Sequence, residues 1–387
     1  MTIQAPLRPI TVIPPCMLIV AATYGMARYS LGLFLPAMRA DLGIDISTIA
    51  TIISFSYLGY LLATGVASAL SGLIGPRILV FAGGAAATIG MALLATPAKT
   101  WLFAIGIFIA GMSPGLAYPP LSDAITRLVQ EKSRDWVYAI VNSGTSIGII
   151  LCIPLALVFD DNWRLIYACF AVATACITFW VSWIMPSGGF IEQQTGIVKR
   201  VSFAWLCNRQ STPLYFSSFI FGFVSSTMWT FAPDLLSQSN RASDSYIALF
   251  WVIMGVGGLL GGVLPRFLRQ HTLTPIFLTG LCLLLIPTAV IPLILDGTLL
   301  VLICGFCFGT SFISITGFFG IWSMYVFHQR PSMGFGVVFL IISCGQFLGT
   351  IASGYMIEIF NHSITFFASA GVGCLLFAIS SKKIKLI

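Results

Sequence analysis

Charged side chains are scarce in this chain. Of its 387 residues, 19 are Lys or Arg and 12 are Asp or Glu, so 8% are charged, against roughly 25% in soluble domains. So few charges cannot cover the surface of a water-soluble protein of this length. Because 58% of the residues are hydrophobic, the composition predicts a protein that is solvated mainly by lipid.

Histidine and catalytic motifs are also scarce. The three histidines, His271, His328 and His362, are far apart in predicted loops or at span ends. No HExxH motif and no phosphate-binding glycine loop occurs. The ten cysteines lie mostly in apolar runs, where they pack as small hydrophobic residues. We therefore expect no catalytic residue, no metal and no cofactor, and a membrane enzyme or a receptor is a remote alternative.

The basic residues predict an orientation rather than a nucleic-acid site, because they form no basic stripe or helix. With a cytoplasmic N-terminus, 14 of the Lys and Arg residues fall on the cytoplasmic side and four on the other, and Arg28 falls inside the first span. Loops rich in Lys and Arg stay in the cytoplasm. We expect both termini there and a multi-pass protein of the bacterial inner (plasma) membrane.

Twelve long apolar runs predict an all-α membrane protein, because a helix needs about 20 apolar residues to cross a bilayer. Strands of a membrane barrel are shorter and alternate in polarity. The predicted spans cover 12–36, 47–73, 77–97, 101–122, 137–159, 164–186, 212–235, 245–267, 274–295, 298–325, 333–357 and 362–381. The polar stretch 187–211 predicts a cytoplasmic linker between two six-helix bundles, 1–186 and 212–387.

The two halves repeat the same signals in the same order. Tyr24-Gly25 precedes Pro36 in the first span as Phe221-Gly222 precedes Pro233 in the seventh. Small residues four apart let helices approach closely, and such glycine pairs recur in corresponding spans: Gly111/Gly115 and Gly305/Gly309, Gly144/Gly148 and Gly345/Gly349. The repeat predicts two pseudo-symmetric bundles in the same orientation, with the glycines on the faces where the bundles slide.

Parallel six-helix repeats around a central cavity describe the major facilitator superfamily (MFS) fold. Three runs resemble its YbfB/YjiJ-like branch: Tyr24-Gly25-Met26-Ala27-Arg28-Tyr29, Gly115-Leu116-Ala117-Tyr118-Pro119-Pro120-Leu121-Ser122-Asp123 and Asn142-Ser143-Gly144-Thr145-Ser146-Ile147-Gly148. The resemblance implies a transporter working by alternating access. The chain departs from the superfamily pattern between spans two and three, where Gly72-Leu73-Ile74-Gly75 replaces the usual Asp and Arg.

Arg28 is the main functional candidate. An Arg near the bilayer centre costs about 2.5–3.5 kcal/mol on insertion scales, so it needs a partner. Either it neutralises an anionic solute or it pairs with an acid of the protein. The best acid is Asp234, at the outer end of the seventh span, and we expect an Arg28–Asp234 outer gate. Ser225 occupies the position of Arg28 in the repeat, and this asymmetry favours a ligand.

Further polar and aromatic residues fall on the spans that line the cavity in the superfamily. These candidates for substrate binding are Tyr24, Tyr118, Asn142, Trp229, Ser311 and Gln346. Packing for the aromatic residues, and interhelical hydrogen bonding for the two amides, are the alternative interpretations. Asp123 ends the fourth span. It forms an i,i+4 pair with Arg127 or takes part in gating or proton coupling.

The sequence therefore predicts a secondary active transporter that moves a small organic solute by alternating access. Arg28 and the scarcity of acids favour an anion, such as a carboxylate metabolite or a carboxylate-type siderophore. The alternative is a proton-coupled exporter of drugs or metabolites. The expected partners are the solute, protons as a possible coupling ion and the lipid bilayer, and we expect a monomer.

Overall fold

Twelve apolar helical spans build the protein. The computed structural model describes residues 8–96, 99–159, 162–188, 209–239, 243–268, 273–327 and 331–378, and these contain no strand. Ten spans are long enough to cross a membrane, and two shorter apolar helices, Phe277–Leu293 and His362–Ala378, complete the predicted twelve. Most of the predicted linker 187–211 lies outside the described residues. We call the side where the first helix begins the basic face and the opposite side the far face.

The helices follow one another in two sets of six spans. The first set consists of α1 (Pro9–Val20), a π-helical segment (Ala21–Tyr29), α2 (Ser30–Leu33), α3 (Leu35–Leu42), α4 (Ile46–Ile74), α5 (Pro76–Ala95), α6 (Thr100–Leu128), α7 (Glu131–Asn142), α8 (Gly144–Val158) and α9 (Trp163–Ile184). The second set consists of α10 (Ser211–Leu236), α11 (Asp244–Leu268), α12 (Leu273–Val290), a 3₁₀ turn (Ile291–Leu293), α13 (Thr298–Val326), α14 (Pro331–Ile359) and α15 (His362–Gly373). The fourth span, α6, runs beyond its predicted end at residue 122, as far as Leu128.

The first span is irregular at a position that matters for the site. Its middle, Ala21–Tyr29, is π-helical, a rare form that is frequently found at functional sites. Phe34 then leaves the helical conformation, with φ −92° and ψ 4°, next to Pro36, which cannot donate a backbone hydrogen bond to the preceding turn. The chain continues as α3, which ends on Gly43 in the left-handed conformation at φ +62°. The span therefore reaches the far face in two pieces.

The repeated glycines hold helices together within each half. A Cβ added at Gly111 of α6 would overlap the carbonyl oxygen of Ser56 in α4. One added at Gly148 of α8 would overlap the carbonyl oxygen of Ala21 in the first span. Both contacts are backbone against backbone between helices of the N-terminal half. The expectation that these glycines line sliding faces between the halves is therefore wrong.

The C-terminal half repeats these two contacts. Gly309 of α13 packs against the Met254 carbonyl in α11, with no room for a Cβ between them. Gly349 of α14 packs equally closely against the Phe223 carbonyl in α10. Thus span four packs on two as ten packs on eight, and five packs on one as eleven packs on seven. The pseudo-symmetric pair of six-helix bundles is confirmed.

Two other helix pairs join the halves, α4 with α14 and α8 with α11. Gly354 of α14 lies against Ala50 of α4 towards the far face. Gly258 of α11 lies against the Ser146 side chain of α8. In each of these two contacts the glycine meets a side chain of the other half. The four repeated glycines described above meet backbone carbonyl groups of their own half. The cavity described below lies between these two seams.

Replacing Gly111 with Val is expected to destabilise the protein by about 1–3 kcal/mol, the usual range for overpacking. The added methyl groups would overlap the Ser56 carbonyl, and backbone cannot move aside cheaply. The measurement is the thermal unfolding of detergent-purified protein. Gly65→Val in α4 is the matched control, because nothing lies within 4 Å of a Cβ at Gly65. Equal melting temperatures for the two variants would contradict the close packing of α6 on α4.

Candidate functional site

Arg28 lies in the middle of the protein, between the two halves. It belongs to the π-helical segment and is 4% exposed. Its guanidinium lies against two tyrosine rings of α4, with Cζ 4.4 Å from the ring centre of Tyr60 and 4.6 Å from that of Tyr57. Tyr29 and Tyr24 flank it at 5.5 and 6.0 Å. Desolvated cation–π contacts are worth about 2 kcal/mol, so the rings compensate part of the cost of burying this charge.

The hydrogen bonds of Arg28 cross to the C-terminal half. Its Nη2 donates to Gln346 Oε1 at 2.8 Å and to Ser343 Oγ at 3.5 Å, both on α14. The buried Arg28 Nε has no hydrogen-bond partner. The amide nitrogen of Gln346, which is 1% exposed, has none in good geometry either, although Tyr29 lies beside it. The Arg28 Nε donor thus remains for an acceptor that a ligand can supply.

Among the residues that the structure describes, no carboxylate compensates the charge of Arg28. Within the described part of the chain, the ion pairs join Arg39 to Asp234, Arg164 to Asp41 and His362 to Asp234. Arg28 makes no contact with an acid within 4 Å there. A buried charge without a partner costs several kcal/mol. The arrangement is therefore suited to a ligand that brings a negative charge.

A row of hydroxyl and amide groups leads from Arg28 towards the basic face. The Tyr24 hydroxyl donates to the Tyr60 hydroxyl at 3.1 Å. The rings of Tyr24 and Tyr118 meet edge to face at 5.5 Å. The Tyr118 hydroxyl then donates to Asn142 Oδ1 at 2.6 Å. These contacts join the first, second, fourth and fifth spans around one cavity.

The cavity beside Arg28 is small in this conformation. Its volume is about 30 Å³, which accommodates about one or two water molecules. Five of the residues predicted from the sequence line it: Tyr24, Arg28, Tyr118, Asn142 and Gln346. The other lining residues include Tyr29, Tyr60, Phe312, Phe339 and Ser343. An organic solute enters only if the halves move apart.

Aromatic rings close the cavity on the far side. Trp229 of α10 stacks on Tyr29 with ring centres 4.4 Å apart and meets Phe312 edge to face at 5.1 Å. Its carbonyl packs against Gly32, so the first and seventh spans touch at this level. Trp229 is therefore not part of the cavity lining in this conformation, and its predicted role in substrate binding stays a prediction. Its contacts instead cover the cavity from the far face.

A second contact between the halves lies nearer the far face. Arg39 of α3 donates to Asp234 Oδ1 at 2.6 Å. Asp234 Oδ2 lies 2.7 Å from Nε2 of His362, at the start of α15, and Gln238 Nε2 lies 2.9 Å from Nδ1 of the same ring. Asp234 is 3% exposed. The predicted Arg28–Asp234 pair is wrong in this conformation, because the broken first span brings Arg39, further along the chain, to the level of Asp234.

Two other predicted residues lie away from the cavity. Ser311 donates its hydroxyl hydrogen to the Gly280 carbonyl at 2.6 Å and joins α13 to α12. Its side chain faces the outer helix α12 and is absent from the cavity lining in this conformation, so its predicted role in substrate binding stays a prediction. Asp123 accepts from Ser71 Oγ at 2.5 Å and joins α6 to α4 towards the basic face. Its neighbour Arg127 donates to the Gly188 carbonyl at 2.8 Å.

The sequence interpretation missed several residues at the site. Tyr57 and Tyr60 stand three apart on α4, which places them on one helix face, and this spacing was the available signal. Ser343 is likewise three residues before the predicted Gln346 on α14. His362 carried no such signal, since a lone histidine at a span end is usually exposed, yet it is 7% exposed here.

Comparison with solved structures shows the same fold in several transporters. The nucleoside transporter NupG is 15% identical, with a TM-score of 0.73 over 98% of this chain and 98% of that one. The peptide transporter POT in complex with sulfate is 15% identical, with a TM-score of 0.76 over 99% and 98%. A bacterial homolog of the human lysosomal transporter Spinster is 14% identical, with a TM-score of 0.67 over 97% and 92%.

At these identities the likeness establishes the fold alone. A comparison with curated protein sequences finds no match. The family model described as Major Facilitator Superfamily matches residues 17–331, which is most of the chain. Together with the twelve spans and the parallel repeat, this match shows that the chain is a multi-pass membrane protein of the major facilitator superfamily of transporters.

Proposed function

We propose that this protein is a secondary active transporter that moves a small organic anion across the bacterial inner membrane, and that it works as a monomer. The observation that supports the proposal is Arg28, a buried cation with an unused Nε donor and no acid beside it in the described part of the chain. An anion bound there would supply the missing counter-charge. Charge-assisted hydrogen bonds of this kind are worth about 1.5–3 kcal/mol each.

The proposed mechanism is alternating access between two bodies, residues 1–186 and 212–387, joined by the stretch 187–211. The support for two bodies is the repeat of the same backbone-on-backbone helix contacts in each half, at Gly111 and Gly148 and again at Gly309 and Gly349. A cavity of about 30 Å³ is too small for an organic solute. Transport therefore requires the halves to separate on one side at a time.

We propose that Arg39 and Asp234 form the far-face gate. The pair bridges the two halves at 2.6 Å, and Trp229 with Tyr29 forms an aromatic layer beneath it. His362 binds the second carboxylate oxygen, so it orients Asp234 towards Arg39. The cavity lies on the basic-face side of this layer, so opening towards the far face requires both contacts to break.

Asp123 is our candidate for gating or proton coupling at the basic face. It is removed from the lining of the cavity and joins α4 to α6 through Ser71. Asp123→Asn is expected to slow uptake driven by a pH gradient while solute exchange at equal pH stays within about twofold, since binding at Arg28 is untouched. Proteoliposomes with an internal pH dye and labelled solute measure both rates. Equal losses in the two assays would contradict a coupling role.

A ligand screen tests the proposed substrate class. Purified protein is heated with organic anions and with the neutral amide of each one, and the melting temperature is recorded. We expect only the anions to raise it, because the amides lack the charge that Arg28 requires. Labelled forms of the hits are then followed into proteoliposomes. Stabilisation by amides or by cations to the same extent as by the anions would overturn the proposal.

A further inference from the structure

The cavity lining narrows the kind of anion. We propose that the substrate is a monoanion that has no ammonium group and has a planar, apolar body. This inference rests on the proposed function and specifies the net charge and the shape of the transported anion. Three features of the lining carry the inference: one cation, no acid among the described residues, and a set of aromatic rings that belong to both halves.

A single positive charge is available to the ligand. Arg28 is the only Lys, Arg or His among the described residues that line the cavity. The next cation along the same span, Arg39, is already bound to Asp234 at 2.6 Å beyond the Tyr29–Trp229 layer. A second carboxylate on the ligand would therefore be buried among rings and hydroxyl groups without a counter-charge, which is strongly unfavourable. Dicarboxylates and tricarboxylates are thus disfavoured.

A free ammonium group would be equally isolated. The described lining contains no Asp or Glu, and its other polar groups are hydroxyls and the amides of Asn142 and Gln346. The Gln346 oxygen already accepts from Arg28, and the Asn142 oxygen accepts from Tyr118. Each amide oxygen thus already serves one donor. A cation, or the positive end of a zwitterion such as an amino acid, would find no carboxylate among the described lining residues.

The rings favour a flat and apolar body. Tyr24, Tyr60 and Tyr118 come from the N-terminal half, and Phe312 and Phe339 come from the C-terminal half. Tyr29 meets Phe312 edge to face at 5.9 Å across the boundary between the halves. Separation of the halves would break this ring contact, and an aromatic group inserted between them would replace it. Aromatic pairs favour such offset or edge-to-face arrangements.

A series of compounds with one skeleton tests each part of the inference. The series is 3-phenylpropionate (monoanion), phenylalanine (zwitterion), phenylsuccinate (dianion), 3-phenylpropanol (neutral) and 3-cyclohexylpropionate (monoanion with a puckered ring). Affinities for the purified wild-type protein are measured by thermal shift and by calorimetry at neutral pH. We expect 3-phenylpropionate to bind at least about tenfold more tightly than each of the others. Its binding should be lost in Arg28→Gln.

Each contrary outcome has a distinct meaning. Equal binding of phenylsuccinate that depends on Arg28 would overturn the single charge and leave the anion site standing. Equal binding of phenylalanine would overturn the exclusion of ammonium groups, and equal binding of the cyclohexyl compound would overturn the planar body. Binding of the neutral alcohol as tight as that of the acid, or no Arg28-dependent binding of any anion in this series or the screen, would overturn the proposed function as well. The ranking is measured on wild-type protein, so it survives poor folding of the variant.

Discussion

Arg28→Gln is expected to abolish the stabilisation of the protein by its anionic ligand and to weaken binding about 10- to 100-fold. The variant loses one charge-assisted hydrogen bond to the ligand, worth about 1.5–3 kcal/mol, and each 1.4 kcal/mol is a factor of ten in affinity. Transport at low solute concentration should fall by the same factor. Binding isotherms and initial rates in proteoliposomes provide the two measurements.

The same substitution should leave the empty protein at least as stable as the wild type. Arg28 is a buried cation that pairs with no acid among the described residues, so its removal ends a desolvation cost that cation–π contacts only partly offset. A residue kept for a ligand shows this combination of lost binding and retained stability. Arg8→Gln is the matched control, since it removes a charge from the exposed start of the same span.

A different pattern would contradict the assignment. If Arg28→Gln lowers the melting temperature of the empty protein sharply and leaves the affinity for the anion unchanged, Arg28 is a structural residue. In that case the contacts with Gln346 and Ser343 would serve to join the two halves, and the ligand would have to bind elsewhere.

Asp234→Asn is expected to open the far face. The amide keeps the shape of the side chain but loses the charge that attracts Arg39 across the boundary between the halves. The side chain of Arg39 is 30% exposed, so we assign the pair about 2 kcal/mol, below the range for fully buried pairs. A change of about 2 kcal/mol shifts the ratio of open to closed protein by about 30-fold.

Spin labels on the far face measure this opening. Thr100 of α6 and Ser245 of α11 are exposed there and belong to different halves, so the distance between labels at these positions reports the separation. We expect a longer distance in Asp234→Asn and a similar one in Arg39→Gln. The double variant should resemble either single one, because residues in contact are not additive.

The second ion pair of the far face supplies a matched control for the gate. Arg164 Nη1 lies 2.6 Å from Asp41 Oδ2 in an ion pair, and both residues belong to the N-terminal half. Asp41→Asn therefore removes an ion pair of equal length from the same face without touching the boundary between the halves. An equal opening in Asp41→Asn, or no opening in Asp234→Asn, would refute the gate.

Much of the fold was predictable from the sequence. Lipid forces each span to be a long apolar helix, so twelve runs predict twelve helices, and the glycine pairs mark the repeat. The partners of those glycines were not predictable. The spacing of the glycines shows that another helix packs closely there, but it does not show which helix. The sequence interpretation therefore placed the glycine-bearing helix faces at the boundary between the halves, whereas Gly111 and Gly148 pack against helices of their own half.

The site was predictable where polarity conflicts with the membrane. Arg28, Asn142 and Gln346 are costly in lipid, and all three line the cavity. Residues tolerated in both environments were harder to place: Ser311 satisfies its hydroxyl with the Gly280 carbonyl, as a packing residue would. The partner of Asp234 depended on the break at Phe34, a local bend that helical rise per residue cannot anticipate.

The π-helical segment has a further consequence for how Arg28 can move. A π-helix bonds residue i to i+5 and an α-helix bonds i to i+4, so the segment can exchange one hydrogen-bond register for the other. Each residue of an α-helix turns by about 100°. A register change of one residue would rotate Arg28 by roughly that angle, out of the ring of tyrosines, while the ends of the span stay in place. Deletion of Ala27 would impose the α-helical register on this segment. If the deletion left the affinity for the anion unchanged, such a rotation of Arg28 would be excluded.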